Sequence, residues 1–380
     1  MHQSPHLTDE QFCSVIMPIF RSILSLLLTS ACWPAFAQVP AQQLAANASP
    51  IAQTQTPPKT APAAPRANQQ RTLRQLGMVE IAGSPGFDAV AVANGKVLLS
   101  HIGSSSLDIV DPAKRRVVAQ VINLQSPRGI AVDQANGKIY VAQAGNNSIA
   151  VVSFQGWQYS GAIRLDQPPN TLALNNDGQR LYWTSAQNNS LSILDVSTRQ
   201  NLGTVDLGGR PRGMVWDQER GVTFVALQDT AEIVAVDPEL KVVSRFKVNG
   251  SQPTNLVYDP HTRRLYVAVR KAVLAINDQD GSETNRVEAP MGVDDLWFAP
   301  ESRTLYAASP GELTVIKAGD GQLTVVDDIP ISIKGHNVAF DPESNMVFLP
   351  GGREGKSAML LLQPIGSERA GEQDVAAKMK

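Results

Sequence analysis

The stretch PRGIAVDQANGKIYVAQAGNNSIAVVS, residues 127–153, contains three short apolar runs separated by turns rich in Gly and Asn. Its first residue belongs to a series, because Pro85, Pro127, Pro169, Pro211 and Pro253 stand 42 residues apart. A similar phrase follows each of these prolines. A period near 40 residues with four short strands per unit is the sequence pattern of a β-propeller blade. The sequence therefore predicts an all-β chain built from repeated four-stranded blades.

Seven units can be aligned by the apolar run that begins each one. These first strands cover residues 90–92, 130–132, 172–174, 214–216, 256–258, 296–298 and 338–340. The last unit ends after Leu362 without a fourth strand, whereas an unmatched apolar stretch, residues 73–81, precedes the first unit. We expect this N-terminal strand to complete the last blade, because ring closure removes an exposed strand edge. The prediction is a seven-bladed β-propeller over residues 72–365.

Residues 1–37 have the features of a signal peptide. Arg21 precedes the apolar run 23–28, and Ala35-Phe36-Ala37 offers small residues for cleavage before Gln38. Acidic residues stand where the leader should be basic, so we expect Met17 to be the true start. The apolar run is too short to span a bilayer. The sequence thus predicts a periplasmic or secreted protein without a transmembrane anchor, with lipid attachment at Cys32 as the alternative.

The remaining termini and the composition limit the partners. Residues 38–71 are rich in Ala, Pro, Gln and Thr and predict a disordered tether, and residues 366–380 form a polar tail. The only cysteines are Cys13 and Cys32, both in the leader, so the mature chain has no disulfide, thiolate nucleophile or attached haem. A net charge of −2 gives no general attraction for nucleic acid. We expect a monomer that carries no cofactor.

The second strands of the units carry a recognisable phrase. Lys138-Ile139-Tyr140-Val141-Ala142, Arg180-Leu181-Tyr182-Trp183-Thr184 and Arg264-Leu265-Tyr266-Val267-Ala268 resemble the YVTN-type β-propeller repeat. The likeness covers about residues 73–364 and is weaker in units one, six and seven. It implies a seven-bladed propeller of the kind usually exported or displayed by bacteria and archaea. It does not imply one reaction.

A polar residue precedes each first strand by two positions. In a propeller the loop that enters each innermost strand lies at one end of the central channel, so these residues are expected to form a ring at the channel mouth. The ring is Asp88, Arg128, Asn170, Arg212, Thr254, Asp294 and His336. Asp88 follows from aligning Val90 with Ile130, and the alternative register puts Gly86 in its place.

The ring residues are the predicted ligand-binding site. Arg128 and Arg212, with Asn170 and His336, suit a carboxylate or phosphate because arginine presents a planar fork of donors. The predicted partner is an anionic small molecule or a periplasmic or cell-surface protein. The alternative is that the Arg and Asp side chains neutralise each other and hold channel water.

A propeller-type lactonase with a channel metal is the enzymatic alternative. Asp88, Asn170, Asp294 and Asp295 offer the oxygen atoms that divalent metals bind, but the two arginines would repel a cation. We find no Ser-His-Asp arrangement, Gly-rich phosphate loop or paired-His motif, so we assign no catalytic residue and no metal ligand. The aspartates that end first strands, Asp133, Asp217, Asp259 and Asp341, are expected to form turns. The sequence favours a binding protein over an enzyme.

Overall fold

The computed structural model describes residues 71–290, 292–320 and 322–366. These residues form seven sheets, each of four antiparallel strands, and one short 3-10 helix. The predicted all-β, seven-bladed propeller is confirmed. The predicted leader, tether and most of the tail lie outside the described residues. Within the described residues, no helix has the length and apolarity needed to cross a membrane.

The blades are numbered in chain order. Blade one contains β2 (Phe87–Ala93), β3 (Lys96–His101), β4 (Ser106–Asp111) and β5 (Arg116–Val121), with the 3-10 helix Ile102–Ser104 between β3 and β4. Blade two contains β6 (Pro127–Asp133), β7 (Lys138–Gln143), β8 (Ser148–Ser153) and β9 (Gln158–Arg164). Blade three contains β10 (Leu172–Leu174), β11 (Arg180–Ser185), β12 (Ser190–Asp195) and β13 (Asn201–Asp206). Blade four contains β14 (Pro211–Asp217), β15 (Val222–Leu227), β16 (Glu232–Val236) and β17 (Val242–Lys247).

The remaining blades follow the same order until the last. Blade five contains β18 (Asn255–Asp259), β19 (Arg264–Val269), β20 (Ala272–Asn277) and β21 (Glu283–Glu288). Blade six contains β22 (Asp295–Ala299), β23 (Thr304–Ser309), β24 (Glu312–Gly319) and β25 (Gln322–Pro330). Blade seven contains β26 (Ala339–Asp341), β27 (Met346–Arg353), β28 (Lys356–Pro364) and, as its outer strand, β1 (Leu73–Ile81).

The ring closes through its two ends. β1 pairs with β28 from Leu73 opposite Pro364 to Ile81 opposite Ser357. The side chains of Val79 and Ile81 are almost fully buried against blade one, so the closing strand contributes to the core as well as to the sheet. The expected closure by the N-terminal strand is confirmed.

The apolar second strands are buried because neighbouring blades cover both of their faces. In β7, every residue from Ile139 to Gln143 is buried. The outer strands alternate instead, and β21 switches between exposed and half-buried residues along its length. This gradient is expected for blades that pack face to face around an axis and expose their outer strands to water.

The aromatic residue of the second strand packs against the next blade. Four pairs repeat this contact, with ring centroids 4.8–5.9 Å apart: Tyr182 with Trp216, Phe224 with Tyr258, Tyr266 with Phe298, and Tyr306 with Phe340. The first partner of each pair comes from the second strand of one blade and the second from the inner strand of the following blade. The repeated Tyr of the sequence phrase is therefore an inter-blade packing residue.

The aspartates that end the inner strands form turns, as predicted. Backbone N–H groups two or three residues further along donate to Asp133, Asp217, Asp259 and Asp341 at 3.0–3.2 Å. These carboxylates are nearly buried, so each satisfied oxygen avoids the cost of an unpaired buried polar atom.

Candidate functional site

The strand pairing decides which residue of blade one belongs to the channel ring. Val90 lies opposite Leu99 just as Ile130 lies opposite Val141, so Asp88 is equivalent to Arg128. Phe87 then matches Pro127, and a register shift follows both residues. The use of Pro85 as the first member of the proline series is therefore wrong by two residues. The true spacing between the first two blades is 40 residues, and Gly86 has no place in the ring.

The ring residues surround one end of a central channel. Six of the seven, all except Arg128, line a cavity of about 540 Å³ formed by the inner strands. Arg128 lies beside the cavity, and its Nη1 donates to Oδ1 of Asp88 at 2.8 Å. The structure thus brings all seven residues of the predicted site to the same mouth.

The two arginines of the ring are both paired with aspartates. Arg128 reaches Asp88 of the preceding blade, while Arg212 of blade four reaches Oδ1 of Asp294 in blade six at 3.0 Å. His336 of blade seven lies 3.6 Å from the other oxygen of Asp294. These side chains are about one quarter to two fifths exposed, so water screens the pairs. The ring arginines alone do not form an uncompensated positive focus.

A second tier of residues, one position further along each inner strand, ties adjacent blades together. Thr171 Oγ1 donates to the carbonyl oxygen of Arg212 at 2.6 Å, and Asn337 Nδ2 donates to the carbonyl oxygen of Asp88 at 3.0 Å. Glycine occupies this tier in blades two and four, where a neighbouring backbone leaves no room for a side chain. A Cβ at Gly129 would lie 2.7 Å from the carbonyl oxygen of Asn170, and one at Gly213 would lie 2.6 Å from Cα of Asn255.

Asp295 is the one carboxylate of this tier within the described residues. Its oxygens accept hydrogen bonds from the side-chain amide of Asn255 and from the backbone N–H of Val338, the latter at 3.1 Å. Asp295 keeps some exposure to the cavity, but protein surrounds it on its other sides. This burial raises the pKa of Asp295 to about 7, helped by the charge of Asp294 and opposed by the hydrogen bonds. A carboxyl group with a raised pKa therefore lines the channel.

A side cavity next to the mouth is lined by a positively charged side chain, Arg270, that the sequence analysis did not single out. This space of about 300 Å³ shares Thr254, Asp294 and His336 with the main channel and is also lined by Arg270. Among the described residues, no carboxylate lies within ion-pair distance of Arg270, whose Nη1 donates a long hydrogen bond of 3.4 Å to the Gln252 amide oxygen. No repeat position marks Arg270, because it belongs to the turn between the second and third strands of blade five.

A Ser-His-Asp cluster is present, although no motif indicates it. His101 Nδ1 lies 2.6 Å from Oδ2 of Asp108, and His101 Nε2 lies 3.1 Å from Oγ of Ser357. Nε2 also lies 2.7 Å from the carbonyl oxygen of Ser84, to which it must donate. A nitrogen that donates cannot take the proton of Ser357, and all three side chains are fully buried. The cluster joins blade one to blade seven and is not a catalytic triad.

The donor set of the channel does not fit a divalent metal. Asp88 and Asp294 each bind an arginine, and both oxygens of Asp295 accept protein hydrogen bonds. Metal binding would have to displace these donors in the presence of two guanidinium groups. Within the described ranges, no group of three or more His, Cys, Asp or Glu residues is arranged to hold a metal ion.

Another cavity, of about 770 Å³, lies between blades six and seven. Its walls include Tyr306 and Phe340, and also Arg71 and Gly366, the first and last described residues. Because the chain continues from these walls in both directions, we place no ligand site there.

Comparisons with known proteins agree with the fold. A family model described as SMP-30/Gluconolactonase/LRE-like region matches residues 162–271, and one described as NHL repeat matches residues 124–152. No curated protein matches the chain. A chain of Kuenenia stuttgartiensis hydrazine synthase is 14% identical with a TM-score of 0.64, covering 75% of this chain and 97% of that one. A chain of the mitotic checkpoint complex is 13% identical with a TM-score of 0.66, covering 84% and 99%.

These structural likenesses show the fold alone, since proteins with unrelated activities share it. Together with the two partial family matches, they support placing the chain among the β-propeller repeat proteins.

Proposed function

We propose that this protein binds a small anionic molecule at the mouth of its propeller channel. The observation that carries the proposal is the side cavity, where Arg270 has no carboxylate partner among the described residues and joins Thr254 and His336 beside the ring. Arg270 is exposed to solvent at the wall of this cavity, and its guanidinium, with the neighbouring hydroxyl and imidazole groups, suits a carboxylate or phosphate even though Asp294 also lines the space.

The ring supports the same proposal through its geometry. Asp88 and Asp294 hold the guanidinium groups of Arg128 and Arg212 in place, so the rim is ordered before a ligand arrives. Pre-ordering lowers the conformational cost of binding. The same aspartates lower the net positive charge, so affinity is moderate. We favour a small molecule over a partner protein because the ring opens into a concave channel space of about 540 Å³, walled by the inner strands, that a folded surface cannot enter.

Calorimetric titration with citrate at low salt tests this proposal. Citrate supplies three carboxylates and no apolar tail. The double variant Arg212→Gln/Arg270→Gln should bind citrate at least about tenfold more weakly, since two charge-assisted contacts are lost. Arg74→Gln is the matched control, because Arg74 lies on outer strand β1 and bonds Gln363. Equal citrate affinity in parent and double variant, or no binding by the parent, would overturn the proposal.

Lactone hydrolysis is the second candidate, and the partial match to the gluconolactonase-like family model favours it. The channel carboxylates do not fit a metal-dependent version, because arginines or amides already occupy them. A lactonase assay with and without chelator separates the candidates. Chelator-sensitive hydrolysis would favour the enzyme, and its absence together with citrate binding would favour the binding protein.

We also propose that the protein is exported to the periplasm or beyond and that its repeats are of the YVTN type. The leader-like residues 1–37 and the phrase Arg264-Leu265-Tyr266-Val267-Ala268 support these two proposals. N-terminal sequencing of the exported form tests the first. A start at Gln38 is expected, and a lipid-bearing Cys32 would contradict cleavage at that site.

A further inference from the structure

The residues that line the channel change character along its axis. Polar ring residues surround the mouth. Below them the same cavity is lined by an apolar belt, which consists of Val90, Ile130, Val215, Val257 and Trp297. All five belt residues are half-buried, so part of their apolar surface remains open to the channel.

The polar groups between the ring and the belt already have protein partners. Thr171 and Asn337 donate to backbone carbonyls of neighbouring blades, and Asp295 accepts from Asn255 and Val338. A ligand that passes this tier therefore does not need to supply hydrogen bonds to these polar groups. What the belt offers to a ligand is mainly apolar contact.

We infer that the ligand is an amphipathic organic anion, with its charged head at the ring and Arg270 and its apolar tail against the belt. This inference rests on the proposed anion binding and adds the class of molecule. The channel volume of about 540 Å³ lies within the range of about 300–1,000 Å³ that small-molecule sites occupy. Burial of the tail removes apolar surface of both ligand and belt from water, which is the main source of affinity for such a molecule.

Three probes separate the head from the tail. Octanoate carries both, acetate carries the head alone, and 1-octanol carries the tail alone. Each buried methylene is expected to strengthen binding about fourfold. We therefore expect calorimetry to give octanoate an affinity at least about 100-fold above that of acetate, with 1-octanol also weaker than octanoate.

Variants of the belt test where the tail lies. Val215→Thr/Val257→Thr keeps the side-chain shape but adds hydroxyl groups, so it should weaken octanoate about tenfold and leave citrate binding unchanged. Val243→Thr is the control, because Val243 is exposed on outer strand β17. If the belt variant is less stable than the parent, so that its weaker binding is ambiguous, tryptophan fluorescence provides a second measurement. Octanoate should change the tryptophan fluorescence of the parent, and Trp297→Phe should remove this change while calorimetric binding persists.

The outcomes distinguish this inference from the proposed function. Octanoate that binds no more tightly than acetate, while citrate binding still depends on the two arginines, overturns the inference alone. Octanoate binding that survives in Arg212→Gln/Arg270→Gln places the tail away from this mouth and also overturns it. Failure of citrate binding in the parent overturns the proposed function itself.

Discussion

Arg212 of blade four and Asp294 of blade six form an ion pair of 3.0 Å that passes over blade five. Thr254 is the ring residue of the blade between them, and its hydroxyl donates to the carbonyl oxygen of Val293 at 2.9 Å. The pair therefore connects inner strands that are not neighbours. Asp294 of this pair also lines the side cavity, together with Arg270 of blade five.

Replacing Asp294 by Asn should strengthen anion binding. The substitution removes the negative charge that pairs with Arg212 and His336, so their donors become available to a ligand. We expect citrate to bind about three- to tenfold more tightly, an effect of the size of one partly screened charge. The gain should shrink between about 0.01 M and about 0.15 M salt, because screening shortens from about 30 Å to about 8 Å. Weaker citrate binding in this variant would contradict the assigned role of Asp294.

The closing strand should be sensitive to a buried charge. Val79 on β1 is 2% exposed and packs between blades seven and one, so Val79→Asp should lower the free energy of unfolding by at least about 3 kcal/mol. Glu80→Gln on the exposed face of the same strand is the control and should change it by less than about 0.5 kcal/mol. Denaturant unfolding measures both. A small effect of Val79→Asp would mean that β1 is not needed for ring closure.

The inter-blade aromatic contacts should carry substantial packing energy. Phe340 is 7% exposed and lies 5.6 Å from the ring of Tyr306, so Phe340→Ala should cost about 3–5 kcal/mol through lost burial and the cavity that remains. Phe340→Leu preserves most of the volume and should cost less than about 1.5 kcal/mol. Chemical denaturation of the two variants tests the difference. Equal losses would show that general apolar bulk at this position does not determine stability.

Asp295 should make stability depend on pH in a defined direction. Its pKa is about 7 in the folded protein and near 3.8 in the unfolded chain, so the folded state holds the proton more tightly. The stabilisation is complete below about pH 4 and is lost as the pH rises through about 7. The amide side chain of the Asp295→Asn variant cannot ionise, so this variant should not lose stability as the pH rises.

The measurement is the difference in unfolding free energy between Asp295→Asn and the parent at several pH values. As the pH rises from about 4 to about 8, the free energy of unfolding of the variant should increase relative to that of the parent by an amount of the order of several kcal/mol. Glu80→Gln, which changes an exposed carboxylate on outer strand β1, is measured in parallel as the control. A flat difference for Asp295→Asn would contradict the raised pKa.

Much of the fold follows from local sequence. The alternation of short apolar runs with Gly- and Asn-rich turns determines the blades, and the leftover strand at 73–81 indicates the closure. The error at Pro85 arose because blade one is two residues out of step with the proline series. Aligning the apolar runs gave the correct register and the proline series gave the other, and the strand pairing with β3 decides between them. The polar ring was predictable because repeats place equivalent residues at one end of the channel.

The rest of the site depends on contacts between residues that the repeat pattern of the sequence does not predict. Arg212 and Asp294 are separated by a whole blade, so their pairing follows from the curvature of the ring and the reach of the guanidinium. Ser357 and His101 belong to the last and the first blade, and they meet only when the ring closes. Arg270 lies in the turn between β19 and β20, a turn that carries no arginine in the other blades, and its role emerges from the cavity that it lines.

The most direct test of the account is native mass spectrometry of the protein isolated from its own cells at low salt. The parent and the Arg74→Gln control should each carry an organic anion that is released on unfolding, and Arg212→Gln/Arg270→Gln prepared in parallel should lack it. The same bound mass on the parent and the double variant, or no bound small molecule on the parent, would contradict anion binding at the channel mouth.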